Sequence, residues 1–392
     1  MAASTPAHHV LVLNAGSSSI KYVVFDAGDL SERARGQVER IGEPGGEAGN
    51  HRQALALIVD ELGKAGIDGN DLVAVGHRVV HGGEAFTAPT RVNDDALQTI
   101  RDLASLAPLH NPANADGIEV ARHAFPGIPH VAVFDTAFHA TMPAHAYRYA
   151  VPEAVYREHG VRRYGFHGTS HQYVTGETAR RLGCPVDQVN LVSLHLGNGA
   201  SACAVRGGRS IDTSMGMTPL AGLVMGTRPG DIDPGVLLHL ATSAGYSADD
   251  LSALLNRESG LKGLCGAGDM REVLRRSASG DEAAELAVRK FCYQAAKQVG
   301  AYAAALGRVD ALVFTAGIGE NNPEIRAGIC AELCALGIHV DPKRNAAPQD
   351  NGFAIHASGS KIVVYVIPTR EEFEIARQTL TFVEDTGSFV TP

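Results

Sequence analysis

Two stretches of this chain follow one plan, and together they restrict its fold more than any other feature. Residues 10–25 (VLVLNAGSSSIKYVVF) read as an apolar strand, a small polar turn and a second apolar strand, and residues 191–205 (LVSLHLGNGASACAV) repeat the plan. In each, a β-strand delivers a turn whose side chains are too small to cover its own backbone amides. Such amides can cup the oxygens of a phosphoryl group. One copy says little, because ordinary hairpins use the same Gly, Asn and Ser. Two copies, near the starts of the two halves, point to a duplicated fold with a nucleotide held between the halves.

The remaining bulk properties fit that picture. At 392 residues the chain is long for one core, so two domains are expected. The boundary falls near residue 150, because residues 147–164 are polar, charged and without clear periodicity. With 34 basic and 43 acidic residues the net charge is −9, which opposes non-specific nucleic-acid binding but leaves room for a local basic cleft. The six cysteines are dispersed and form no CxxC, so reduced structural thiols are expected. Residues 1–9 lack a basic start and a long apolar core, and the longest apolar runs are strand-length. A cytoplasmic protein without a membrane span is therefore expected.

Strand and helix signals alternate. Residues 28–50 read as a polar surface connection, 53–62 as a helix, 72–80 as a strand, 94–106 as a helix and 128–134 as a strand. This succession predicts a mostly parallel sheet crossed by helices. In the second half, helices are expected at 170–182, 234–241, 248–255, 281–306 and 322–336, with strands at 311–314 and 362–367. The amphipathic tail from Glu372 is long enough to pack back on the first domain.

Several residues are candidates for chemistry. Arg78 sits near a strand end, and Arg228 lies in the Gly- and Pro-rich loop of residues 226–234. A guanidinium fork matches a carboxylate or phosphate, although either arginine could serve an ordinary salt bridge. Asp135 ends a strand, where open α/β folds place chemistry, or else it caps a helix. His167 and His171 are four apart with no acidic residue between them, so they lack a zinc partner. His171 reads as structural, while His167 in the loop could donate to a phosphate oxygen. Residues 315–321 (TAGIGEN) follow a strand and open a helix, letting a nucleotide approach the backbone. No segment ends in Gly-Lys-Ser/Thr, so phosphotransfer here would need a fold other than the P-loop one.

Residues 14–21, 76–83, 134–139, 165–171, 195–201, 225–234, 317–321 and 369–372 resemble, in order and along nearly the whole chain, the motifs of acetate kinases and the related propionate kinases. The resemblance implies the α/β duplicated actin-like ATPase fold shared with sugar kinases and heat-shock chaperones, two domains around a nucleotide cleft. It places an N-terminal domain at 1–150 with the helix 372–392 packed back on it, and a nucleotide-binding domain at 151–371. It implies a homodimer that interconverts ATP plus acetate with ADP plus acetyl phosphate, using magnesium, for which manganese can substitute.

Carried onto this sequence, the resemblance assigns Asn14 and Glu371 to the metal and Arg78 to the substrate. Asp135 becomes the acid/base, and His167 and Arg228 stabilise the transferring phosphoryl. His195, Leu196, Gly197, Asn198 and Gly199 would meet the nucleotide phosphates. Asp269, Met270, Arg271, Gly317, Ile318, Gly319, Glu320 and Asn321 would hold the rest of the nucleotide. Val80, Leu109, Phe166 and Pro219 match the pocket for the acyl methyl. The chain departs from the family pattern in a shorter connection after the first hairpin, in Pro229 beside Arg228 and in Arg370 beside Glu371. Acetate is ionised at neutral pH and needs no base, so Asp135 is expected to orient Arg228, His167 or metal-bound water. An actin-like ATPase and a nucleotide-sensing module are the competing readings.

Overall fold

The first strand–turn–strand copy becomes β1 (His9–Ala15) and β2 (Ser19–Asp26), paired antiparallel from His9↔Asp26 to Ala15↔Ile20. The remaining strands of that sheet are β3 (Glu32–Glu39), β4 (Leu72–Val79), β5 (Thr90–Arg91) and β6 (His130–Phe134). Their order is β3-β2-β1-β4-β6-β5, with β1, β4 and β6 mutually parallel and the other neighbours antiparallel. The second copy becomes β7 (Asn190–Leu196) and β8 (Ala200–Arg206), followed by β9 (Arg209–Thr213), β10 (Ala311–Thr315), β11 (Phe353–Ala354) and β12 (Val363–Val366). Read as β9-β8-β7-β10-β12-β11, this sheet repeats the first strand for strand, in order and in direction. The duplication visible in two turns thus extends through both sheets.

This computed structural model describes residues 8–108, 110–347 and 352–387. Contacts divide them into a first unit, the described residues up to Ala140 and from Arg370 onward, and a second unit, Thr141–Thr369. In the first unit, β1 is buried on both faces, as a central strand with parallel neighbours must be. Leu11, Leu13 and Ala15 join one core with Ala54, Leu55, Ile58 and Leu62 of the helix His51–Lys64. Val10 and Val12 alternate to the other face, against Ile375, Ala376, Leu380 and Val383. Those four belong to the helix Glu371–Asp385, which lies across β1, β4 and β6. Its seat depends on Gly76 in β4: a Cβ there would stand 2.5 Å from Thr379 Oγ1 and 3.1 Å from Ile375 Cγ2.

Three elements differ from the sequence expectation. Residues 28–50 contain β3, whose ERARGQVE sequence buries only Val38. Strand propensity is weak there, yet the open edge of β2 supplies a ladder of partners from Ser19↔Glu39 to Phe25↔Glu32. Residues 322–336 are not one helix. A short helix Ala316–Asn321 ends first, Pro323 opens a second one at Pro323–Ala331, and Cys334–Leu336 is a 3₁₀ turn. Residues 147–164 include the helix Glu153–His159, closed by Gly160 at φ +63°. Among the described residues no helix is long and apolar enough to cross a membrane, and the six cysteines form no disulfide.

Between β4 and β6, His77 and His130 form a buried pair. His130 Nε2 lies 3.1 Å from Phe125 O, which can only accept, so Nε2 carries the proton and Nδ1 accepts from His77 Nε2–H at 2.9 Å. Both rings are neutral. Burial holds His77 well below the usual histidine range, with His130 and Arg122 adding to the effect. Burial likewise brings His130 down to about 4, against the Phe125 carbonyl and with help from Arg122. Below its unfolded value of about 6.5, the unfolded chain takes up protons that the folded pair refuses. Stability of the first unit should therefore fall as pH drops from about 6.5 toward about 4. The rings lie edge to edge and nearly coplanar, with centroids 5.2 Å apart, so leucine, which is smaller than a second aromatic ring, is the apolar replacement that avoids overpacking. The His77→Leu/His130→Leu double variant should show a shallower fall of the urea midpoint between about pH 7.5 and about pH 5 than the unmodified protein. Equal slopes would exclude the pair as the acid-sensitive element.

Candidate active site

In the first unit, the carboxyl ends of β1, β4 and β6 bring Asn14, Arg78 and Asp135 together. Asp135 is only 1% exposed, and Arg78 grips it with both arms of its fork: Nε donates to Oδ1 at 3.1 Å and Nη2 to Oδ2 at 2.6 Å. Arg78 Nη1 is more loosely engaged, 3.4 Å from Asn14 Oδ1. Burial lowers the Arg78 pKa, but the charges of Asp135, Glu371 and Glu372 outweigh it and leave the guanidinium more basic than usual. Glu371, at the start of its helix, is pushed up to about 7, chiefly by burial; Arg78 and Lys21 oppose the rise while Asp135 and Glu372 reinforce it.

This local excess of carboxylates beside an amide oxygen is a set of hard oxygen donors, the chemistry that magnesium prefers. Asn14 and Glu371 therefore fit such an ion. Among the described residues no three His, Cys, Asp or Glu side chains are arranged to cage a metal, so waters and substrate oxygens would have to complete the shell.

Two asparagines on the helix Asn111–Ala124 fix the backbone here, and sequence reasoning gave them no role. Asn114 accepts from Val80 N at 3.0 Å and donates to Ala15 O at 2.6 Å, tying the end of β4 to the end of β1. Asn111 accepts from His81 N at 3.1 Å and returns a bond to His81 O at 2.9 Å. Two buried amides three residues apart on a helix are the sequence signal for such a clamp. Val80 is buried, and Leu109 lies outside the described residues.

The second unit gathers a different set. His167 precedes the helix Gly168–Leu182 in a left-handed conformation, φ +56°, and Ala316, which opens the helix after β10, has φ +64°. Both are strained for residues with a Cβ, and such strain concentrates at working sites. The His167 ring stacks on His195 with centroids 4.1 Å apart, and His195 Nδ1 lies 2.8 Å from Ser170 Oγ. Arg228 Nη1 donates to Pro219 O at 2.7 Å, and burial alone pulls its pKa down. Among the described residues no carboxylate pairs with Arg228, so its charge faces a site that an anion would complete. A Cβ on Gly199 would stand 2.7 Å from Arg228 Nη2 and 3.5 Å from His167 Nε2, so both groups converge on that glycine.

A cavity of about 510 Å³ adjoins this turn, lined by Gly197, Asn198, Asp269, Arg271, Gly317 and Asn321, among others. Its size suits a nucleoside. Asp269 caps the helix Met270–Ala278 and is held down to about 2, first by its bond from Arg271. Leu196 and Met270 bury their side chains in the core, and Phe166 and Ile318 are buried as well. Glu320 turns its carboxylate to Thr369 N at 2.9 Å, and burial raises its pKa. Gly16 N–H is spent on Ser19 O and Gly197 N–H on Gly199 O, so other groups of the two turns must face any phosphate.

The acetokinase family profile matches residues 9–377. The chain is 55% identical to the acetate kinase of Leifsonia xyli subsp. xyli over 95% of its own length and 98% of that protein. Its fold superposes on the crystal structure of Porphyromonas gingivalis acetate kinase with a TM-score of 0.91, at 42% identity, covering 96% of this chain and 100% of that one. It superposes on a propionate kinase from Francisella tularensis subsp. tularensis with a TM-score of 0.90, at 41% identity, covering 95% and 99%.

The Arg78–Asp135 fork makes a direct prediction about stability. Arg78→Ala strands a carboxylate at 1% exposure and should cost about 3–5 kcal/mol. Removing both charges in Arg78→Leu/Asp135→Leu should cost less than the sum of the single replacements, by urea unfolding. Strict additivity would show that the fork contributes no coupling energy.

Proposed function

The chain belongs to the acetokinase family, and we propose how its residues divide the family's reaction. It is an acetate kinase, a phosphotransferase with a carboxylate acceptor that converts ATP and acetate reversibly into ADP and acetyl phosphate. The end-to-end relationship carries the reaction, and the geometry of the two residue sets supports the roles.

An acetate oxygen attacks the γ-phosphorus while the bond to the β,γ-bridging oxygen breaks, its electron pair leaving with ADP. Acetate is already ionised at neutral pH, so no base is needed. Asp135 accordingly acts through Arg78, holding two of its donors so that Nη1 is aimed at the acetate carboxylate. This reading departs from an Asp135 that orients Arg228 or His167. Arg228 and His167 donate to the equatorial oxygens as charge develops, where aligned donors contribute most. Gly199 leaves them room. The cavity bordered by Asp269, Arg271, Gly317 and Asn321 takes the nucleoside. Val80, Leu109, Phe166 and Pro219 are assigned to the acyl methyl on the family resemblance. Asn14 and Glu371 would hold magnesium, or manganese in its place, and the bound ion would neutralise phosphate charge.

The helix Pro234–Ser243 has no buried residue, and Leu238 is 68% exposed. An apolar helix of this kind in a cytoplasmic enzyme calls for a partner, here a second copy of the chain. Leu238→Glu should shift a dimer toward monomer in sedimentation analysis, and a monomeric unmodified protein would remove this interface.

The similarity to a propionate kinase favours a second substrate reading. One methylene is worth about 1–3 kcal/mol in an apolar pocket, so propionate should be accepted and butyrate poorly. A specificity constant for propionate at least about tenfold above that for acetate would make the enzyme a propionate kinase.

Hydroxylamine trapping tests the reaction itself: ATP, acetate and magnesium should yield acyl hydroxamate, and none from folded protein would reject it. Arg228→Ala should lower kcat by about 10²-fold or more, and Gly199→Ala, which displaces the same guanidinium, should approach that loss without a change in melting temperature. Wild-type kcat in both variants would remove Arg228 from the phosphoryl site.

A further inference from the structure

His167 is the outer end of a hydrogen-bonded line that runs into the interior of the second unit. Its Nδ1 lies 2.9 Å from Ser201 Oγ, and the same hydroxyl lies 2.8 Å from His171 Nε2. On the other side of that second ring, Nδ1 lies 2.7 Å from Ser193 Oγ. Ser201, His171 and Ser193 are all at 0% exposure. The register of the sheet explains the meeting. His195 faces Ser201 across β7 and β8, and Ser193 is two residues before His195, so all three side chains share one face. The helix Gly168–Leu182 presents His171 to that face.

A helix packed on a sheet normally fills this space with aliphatic side chains, which would stabilise it at least as well. The polar line therefore calls for a use beyond stability. Its chemistry is restrictive. A serine hydroxyl has one proton, so Ser201 can donate to only one of the two imidazoles, and whenever it does so it must accept from the other. A neutral imidazole carries its proton on one nitrogen and accepts on the other. A Ser201 that donates to His167 Nδ1 therefore requires the proton of His171 on Nε2 and that of His167 on Nε2.

In one polarity His171 Nε2–H donates to Ser201, Ser201 donates to His167 Nδ1, and His167 presents Nε2–H outward. In the other, His167 Nδ1–H donates to Ser201 and its Nε2 is a bare acceptor. The ring edge made of Nε2 and Cε1 converges with Arg228 on Gly199. A bare nitrogen there would repel phosphoryl oxygens, whereas an N–H would bind them.

We propose that Ser201 and His171 are positioning residues that hold neutral His167 as its Nε2–H tautomer, so that it meets the phosphoryl group as a donor without becoming imidazolium. This rests on the contact between His167 and the phosphoryl group proposed above.

The test combines kinetics with a direct view of the tautomer in the full-length enzyme. Ser201→Ala should lower kcat by about 10–100-fold, less than removal of a transition-state donor outright, with both Michaelis constants nearly unchanged. Ser201→Thr, which keeps the hydroxyl, should recover most of the rate. His171→Gln places an amide N–H where Nε2–H was and should retain activity. His171→Asn cannot reach Ser201 and should behave like Ser201→Ala. In a His167→Ala background, Ser201→Ala should cost nothing further. ¹⁵N NMR of histidine-labelled unmodified protein should report a protonated Nε2 at His167, a measurement that does not depend on any variant folding. An Nδ1–H tautomer, wild-type kcat for Ser201→Ala, or an undiminished Ser201→Ala effect without His167 would each overturn the proposal. If His167→Ala alone keeps full kcat, the phosphoryl contact fails and this proposal falls with it. A loss on His167→Ala with none on Ser201→Ala overturns the relay alone.

Discussion

A polar group withdrawn from water must find a partner at once, and the working parts of this protein are arranged around that requirement. Asp135 at 1% exposure is tolerable because Arg78 meets both its oxygens. The same pairing fixes the guanidinium, so the burial that makes the carboxylate costly also aims the arginine. Arg228 is the complementary case: half-buried, bonded to the Pro219 carbonyl, and paired with no carboxylate among the described residues. One arginine is anchored by its counter-ion, and the other is left to receive one.

Both sets are delivered by the same sheet plan used twice. In each unit a two-sided central strand, β1 or β7, has antiparallel neighbours on one side and parallel ones on the other. The parallel side requires crossover helices, and its carboxyl edge is where loops can carry chemistry. Asn14, Arg78 and Asp135 occupy that edge in the first unit. His195 and the loop after β10 occupy it in the second. The copies then diverge: the first face is charged, and the second carries imidazoles, small turns and a nucleoside-sized cavity.

Backbone strain marks the second set. His167 and Ala316 hold positive φ at the first turns of helices, where neither has glycine's freedom. His167 is kept there by its neighbours: Ser201 bonded to its Nδ1 and His195 stacked on its face. Buried arginine chemistry recurs behind Ala316, where Arg326 donates to Gly319 O and Glu320 O and to Asn345, bracing the loop from inside.

The sequence by itself determined the duplication, the central strands and the identity of most residues that gather at the two sets. These follow from local facts: apolar runs of strand length, small turns, and arginine, histidine and aspartate at strand ends. It missed β3, whose polar residues form a strand only because β2 offers an open edge, and it fused 322–336 because helical periodicity outweighed Pro323. Only tertiary structure decided partnership. That Asp135 belongs to Arg78, 57 residues away, and that Asn114 spans 99 residues to Ala15, cannot be read from spacing. His171 read as structural, and the fold alone shows what it touches. A hydrogen bond is specified by where two atoms meet after the chain has closed on itself, and residue type announces only that one is owed.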